Sequence, residues 1–101
     1  MSADAEFNEV VHAPLRLRIC GLLRASDGID FAVLRDTLGA SDATLSKHLK
    51  VLVDAGFVAM TKAASPGRSD LRRISWIALT PAGAAVFDSH VRALRAIAGD
   101  A

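Results

Sequence analysis

Cysteine is almost missing from this chain, with Cys20 the single one in 101 residues. One cysteine excludes an internal disulfide and any C-x-x-C pair for metal or redox chemistry. It lies in "LRLRICGLL", on an apolar helical pattern, where a buried structural thiol is the expectation. Long apolar runs are missing too, and none approaches the roughly 20 residues of a membrane-spanning helix. The first residues, "MSADAEFNEV", carry acids where a signal peptide would carry bases, and no apolar stretch follows. A soluble, cytoplasmic protein is expected. There is no Ser/His/Asp set, no glycine-rich phosphate loop and no H-E-x-x-H spacing, and a small helix-dense chain leaves little room for a pocket. No enzyme, cofactor or resident metal is expected. Repeats, low-complexity tracts and linkers are absent as well, so residues 1–101 read as one domain.

A charge excess of one sign is also lacking, since the formal net charge is only +1. Its distribution is uneven. Residues 1–40 hold four arginines against six acids, a net −2. Residues 41–76 hold Lys47, Lys50, Lys62, Arg68, Arg72 and Arg73 against Asp42, Asp54 and Asp70, a net +3. Residues 77–101 are balanced. The positive charge therefore gathers in the middle third.

What is present is a run of helical patterns broken once by β-rich sequence. Phe7, Val10 and Val11 suggest a short amphipathic helix near residues 4–12. Pro14 suits the first turn of a second helix, whose stripe is Leu15, Ile19, Leu22 and Leu23. Ile29 follows a turn and suits a strand of one or two residues. Asp30 is placed to cap "FAVLRDTL", with Phe31, Leu34 and Leu38 on one face. Gly39 ends that helix and Ser41 caps the next, which runs from Asp42 to Ala55 and stops at Gly56. "FVAMTKAA" and "LRRISWIALT" then flank "SPGRSD", a hairpin with a long polar tip. Thr80 and Pro81 open a final helix over 81–98. The expected order is α-α-(β)-α-α-β-β-α, a mainly α chain with a small β-hairpin (α+β).

The helix at 42–55 has two unlike sides. Leu45, Leu49, Leu52 and Val53 fall on one, and Ala43, Thr44, Lys47, Lys50 and Val51 point roughly the other way. A short helix, a three-residue turn and a longer helix make a helix-turn-helix, and a hairpin directly after it makes the winged form.

At these residues the chain resembles a known family. "LRLRICGLL", "FAVLRDTLGASDATLSKHLKVLVDAGFV" and "SWIALTPAG" look like the winged helix-turn-helix DNA-binding domains of bacterial regulators, the small single-domain ArsR and MarR types above all. The resemblance covers about residues 9 to 90. It implies a cytoplasmic transcriptional regulator, a repressor, that binds double-stranded DNA. Helix 42–55 would lie in the major groove, which admits one helix. Ser41, Ala43 and Thr44 would stand near the bases, Lys47 would reach guanine or phosphate with Ser46 and His48 flanking it, and Lys50 would reach phosphate. The wing at 62–73 would follow the backbone or enter the minor groove, with Lys62 and Arg68 at it. Arg72 and Arg73 are assigned to phosphate, the alternative being pairing with Asp70 or acids elsewhere. Asp42 is assigned to stabilising its helix dipole.

Two other functions remain open, a winged-helix module for protein–protein contact and a redox- or metal-responsive regulator of the same fold. ArsR-type metal sensors often carry paired cysteines before the recognition helix, and "DFAVLRDTL" has none. His12 and His90 could approach each other if the end helices pack together, although a zinc site would lack further ligands. Trp76 is expected in core or cross-strand packing. The final helix carries two apolar stripes, one of Phe87, Val91, Leu94 and Ala98, the other of Val86, His90, Ala93 and Ile97. A helix outside a monomer buries one stripe. A homodimer is therefore expected through Phe7, Val10, Val11, His90, Leu94 and Ile97, on an inverted-repeat operator.

Overall fold

The computed structural model describes residues 6–64 and 73–99, and their side chains except at 63, 64, 73 and 74. Among the described residues five helices and three strands follow in the expected order: α1 Glu9–His12, α2 Pro14–Arg24, β1 Ile29–Asp30, α3 Phe31–Leu38, α4 Asp42–Asp54, β2 Val58–Ala64, β3 Arg73–Leu79 and α5 Pro81–Ile97. The strands form an antiparallel sheet in the order β1-β3-β2. Val58 pairs with Leu79 and Ala64 with Arg73. The hairpin is thereby in register along its described length, and Ile29 and Asp30 pair with Ile77 and Trp76 at its base.

Each helix starts and stops for a local reason. Pro14 opens α2, where its missing N–H leaves no bond unmade. Ser41 Oγ accepts the Thr44 N–H at 3.1 Å, and Thr80 Oγ1 accepts the Gly83 N–H at 3.0 Å, so α4 and α5 are both side-chain capped. Gly39 ends α3 with φ +67°, a backbone region costly for other residues. Its N–H reaches the Asp36 carbonyl while Ala40 N–H reaches that of Arg35, which closes the helix end and turns the chain within three residues.

The core joins Ile19, Cys20 and Leu23 of α2, Leu34 and Leu38 of α3, and Leu45, Leu49 and Leu52 of α4 to Val58 and Ile77 of the sheet. The helix-turn-helix is thus clamped between α2 and the hairpin. Thr80 ties the far end together, donating through its hydroxyl to the Gly56 carbonyl at 2.7 Å. Gly83 lets α5 approach there, since a Cβ would collide with the Phe57 carbonyl.

Four expectations need correction. The first helix is one turn, Glu9–His12, because Asn8 caps it through Oδ1 and residues 6–8 lie along α5 instead. Asp30 stands at the N-cap of α3 without a side-chain cap bond, being held in β1 opposite Trp76. Val53 is 37% exposed. At 100° per residue it lies about 80° from Leu45, outside the stripe that Leu49 and Leu52 complete. Val11 and His90, expected on a dimer face, are buried at 1% and 0% exposure within the chain's own fold.

Candidate nucleic-acid interface

Helix α4 owes its position to three leucines. Leu45, Leu49 and Leu52 are all at 1% exposure or less, so one side of α4 is fixed against the core. The opposite side is then bound to face out. Ser41, Ala43, Thr44, Ser46, Lys47 and Lys50 are all exposed there. The first turn presents small residues and hydroxyls, and the next presents ammonium groups. Such a surface permits close approach first and offers charge afterwards.

The N-terminus of α4 is fastened by more than its cap. Arg35 of α3 donates through Nη1 to Asp42 at 2.8 Å and through Nε to Asp36 at 2.9 Å. Hydrogen bonds to the two carboxylates, Asp36 first, push the Arg35 guanidinium above its ordinary pKa, so it stays charged. Asp42 therefore bridges the two helices of the motif, beyond the dipole role expected of it. Sequence periodicity missed this pair, because Arg35 and Asp42 lie across the turn on separate helices.

The expected DNA residues differ in what they touch. Lys47 makes no ion pair among the described residues. Lys50 contacts Asp54 at 3.1 Å one turn on. That exposed i, i+4 pair is worth about 0.3–0.5 kcal/mol, little to give up for a phosphate. His48 departs from the expectation of a free flanking side chain. It is half-buried, with Nδ1 3.0 Å from Nη1 of Arg16. The reason is angular, since His48 lies only about 60° from Leu45 around the helix. Burial first, then the charges of Arg16 and Lys47, hold the His48 imidazolium below its ordinary pKa.

In the wing, Lys62 is exposed on β2. Arg73 is placed in β3 by its backbone pairing with Ala64, and its side chain is not described. Arg68 and Arg72 lie outside the described residues. Trp76 is 39% exposed, with its indole against Gly28 and with Thr61 and Asp30 as strand neighbours.

Other candidate chemistry is absorbed into the fold. Cys20 is fully buried, and burial pushes its thiol up to about 11, opposed by nearby Arg16. A thiol so held is a poor nucleophile at neutral pH. His12 and His90 do meet, with Nδ1 and Nε2 3.3 Å apart. Among the described residues no group of three metal-ligating side chains converges. Of the remaining residues expected at a dimer face, Phe7 and Ile97 are exposed at 40% and 71%, while Val10 and Leu94 are half-buried. No helix among the described residues is long and apolar enough to cross a membrane.

The profile of the winged helix DNA-binding domain matches residues 15–98, from the start of α2 to just past the end of α5. The chain belongs to that family. Its fold is also that of a solved structure, described as the transcriptional regulator homologue protein from Pyrococcus horikoshii OT3, with a TM-score of 0.82. That likeness spans 91% of this chain and 87% of the other at 21% identity, so it bears on the fold. Comparison with curated proteins found no match. Within the winged-helix family the second helix of the helix-turn-helix is α4 and the wing is the β2–β3 hairpin.

Proposed function

We propose that this winged-helix domain is a cytoplasmic bacterial transcriptional regulator, a repressor of the ArsR/MarR-like kind, that recognises duplex DNA with α4 in the major groove. The observation that carries the reading is the exposed side of α4. Small residues open it, Lys47 at its middle makes no ion pair among the described residues, Lys50 adds a second charge on the same side, and Lys62 adds a third on β2. Ser41, Ala43, Thr44 and Ser46 would lie nearest the bases, and Lys50 and Lys62 on phosphates. The wing would carry Arg68, Arg72 and Arg73 to the backbone or minor groove.

The regulator would act as a homodimer, through the exposed Phe7 and Ile97 with Val10 and Leu94 beside them. A two-fold axis there would set two copies of α4 in successive major grooves. The operator would then be an inverted repeat with half-sites about 10 base pairs apart, or a multiple. Footprinting on genomic fragments with sedimentation of the complex tests both parts. Two protomers on an inverted repeat are expected. One protomer on an asymmetric site would refute the dimer, and no preferred fragment would refute sequence-specific regulation.

A further inference from the structure

Arg16 lies on α2, outside the helix-turn-helix, yet it reaches two other elements. Its Nε donates to the Val10 carbonyl of α1 at 2.6 Å, and its Nη1 stands 3.0 Å from Nδ1 of His48 on α4. A guanidinium has five N–H donors and no acceptor, and it keeps its proton in proteins. Nδ1 of His48 must then be the acceptor, and an accepting ring nitrogen carries no proton. The ring proton is left on Nε2. That atom has no partner among the described residues, and no buried side-chain nitrogen or oxygen among them lacks one, so Nε2 is open to solvent.

We propose that Arg16 is a positioning residue for DNA reading: it fixes His48 as a neutral ring whose Nε2–H is a standing donor at the edge of the recognition helix. The proposal rests on the DNA-binding reading above. The chemistry it selects is an acceptor, namely purine N7, guanine O6, thymine O4 or a phosphate oxygen, and the amino group of cytosine is refused. The contact would change little with pH in the range where a free histidine titrates. A second proton on Nδ1 would break the bond to Arg16 and set a cation between Arg16 and Lys47. The other titratable or charged groups on elements packed against α4 are Glu9 and His12 of α1, Arg18, Cys20 and Arg24 of α2, Arg35 and Asp36 of α3, and Lys62 of β2. None of them bonds His48. His12 is engaged with His90, and Arg24 with Asp88.

Long-range proton–nitrogen spectra of the imidazole rings in the free, 15N-labelled protein test the assignment directly. The His48 signals, identified by their loss in His48→Gln, should show a neutral ring protonated on Nε2 at pH 7. Arg16→Met should mix the tautomers and raise the ring's titration midpoint, and Arg16→Lys should restore the native pattern, because an ammonium also only donates. DNA affinity of the native protein should change less than about twofold between pH 6 and 7.5, whereas Arg16→Met should bind several-fold tighter at the lower pH as the ring charges. A native ring protonated on Nδ1, or charged at pH 7, would overturn the proposal, as would ring signals unchanged in Arg16→Met. If Arg16→Met does not fold, the native spectrum and Arg16→Lys decide. An Nε2–H ring in a protein with no affinity for DNA would overturn the DNA reading alone.

Discussion

Helix α4 and the seam between residues 6–12 and α5 are built on opposite plans. The buried face of α4 is three leucines spaced by four and three residues, and its cap is the residue before it. Everything that aims it outward lies within one short stretch of chain. The seam joins parts of the chain some eighty residues apart. Glu6 N–H donates to Ser89 Oγ at 2.8 Å, Asn8 N–H to His90 Nδ1 at 2.9 Å, and the His12 and His90 rings share a hydrogen bond. Phe7 covers both rings, with centroids 4.5 and 4.7 Å away. The difference teaches that a binding face is set by local periodicity, whereas a seam between chain ends is set by polar partners that periodicity does not see.

The largest effect should come from the anchored side of α4. Leu49→Ala removes a side chain at 1% exposure and should cost about 2–5 kcal/mol in denaturant unfolding. A cost under about 1 kcal/mol would mean that α4 is not clamped as described. At the seam, Leu94→Glu should leave a folded monomer by sedimentation. Its operator affinity should fall about a hundredfold or more, because paired half-sites multiply weak contacts. A variant that still dimerises would move the interface off α5.

On the outward side, Lys47→Ala should keep the melting curve and lose about 1–3 kcal/mol of DNA binding, with relaxed preference at one base pair. Unaltered operator affinity would separate Lys47 from the interface. Cys20→Ser buries a hydroxyl and should cost about 1–2 kcal/mol of stability while leaving DNA affinity in reducing buffer unchanged. Loss of binding on mild peroxide that the serine abolishes would instead make Cys20 a redox sensor.

The smallest and most gradual effect belongs to the seam. Burial, followed by the nearby His12 charge, holds His90 below its ordinary pKa, with Glu9 opposing. The unfolded chain therefore takes up a proton at a higher pH than the folded one. Stability from neutral His90 is present above the ordinary histidine value, near 6.5, and is lost as pH falls from there through the lower folded value. Denaturant midpoints should drop across that window, and His90→Gln should flatten part of the drop. An identical pH profile in His90→Gln would show that the buried ring is not what titrates.

Much of the fold was legible because its signals are local. Gly39, Ser41, Thr80 and Pro81 mark boundaries within a residue of where the elements stop and start, Gly56 lies two residues past the end of α4, and the strand at Ile29 was visible from its setting. The exposed lysines of α4 follow from the leucine spacing. What stayed hidden was tertiary. Val11 and His90 look like spare apolar and polar groups on their own helices, and only the packing of α1 on α5 shows them buried. His48 lies near the leucine stripe of its own helix, but nothing local to that helix shows that α2 brings Arg16 against its ring. Arg35 reads as a surface charge until the turn at Gly39 sets it beside Asp42.

The claim that α4 is the DNA-reading face is tested most directly by measuring DNA affinity against salt for the native protein and for the variant Lys47→Ala, Lys50→Ala, Lys62→Ala. All three side chains are exposed, so the fold should survive. Log affinity of the native protein should fall linearly with log salt, by about 0.9 for each phosphate contacted. The variant should bind more weakly at low salt and show a slope shallower by about one to three contacts. A native affinity indifferent to salt, or a variant with the native slope and affinity, would contradict the account.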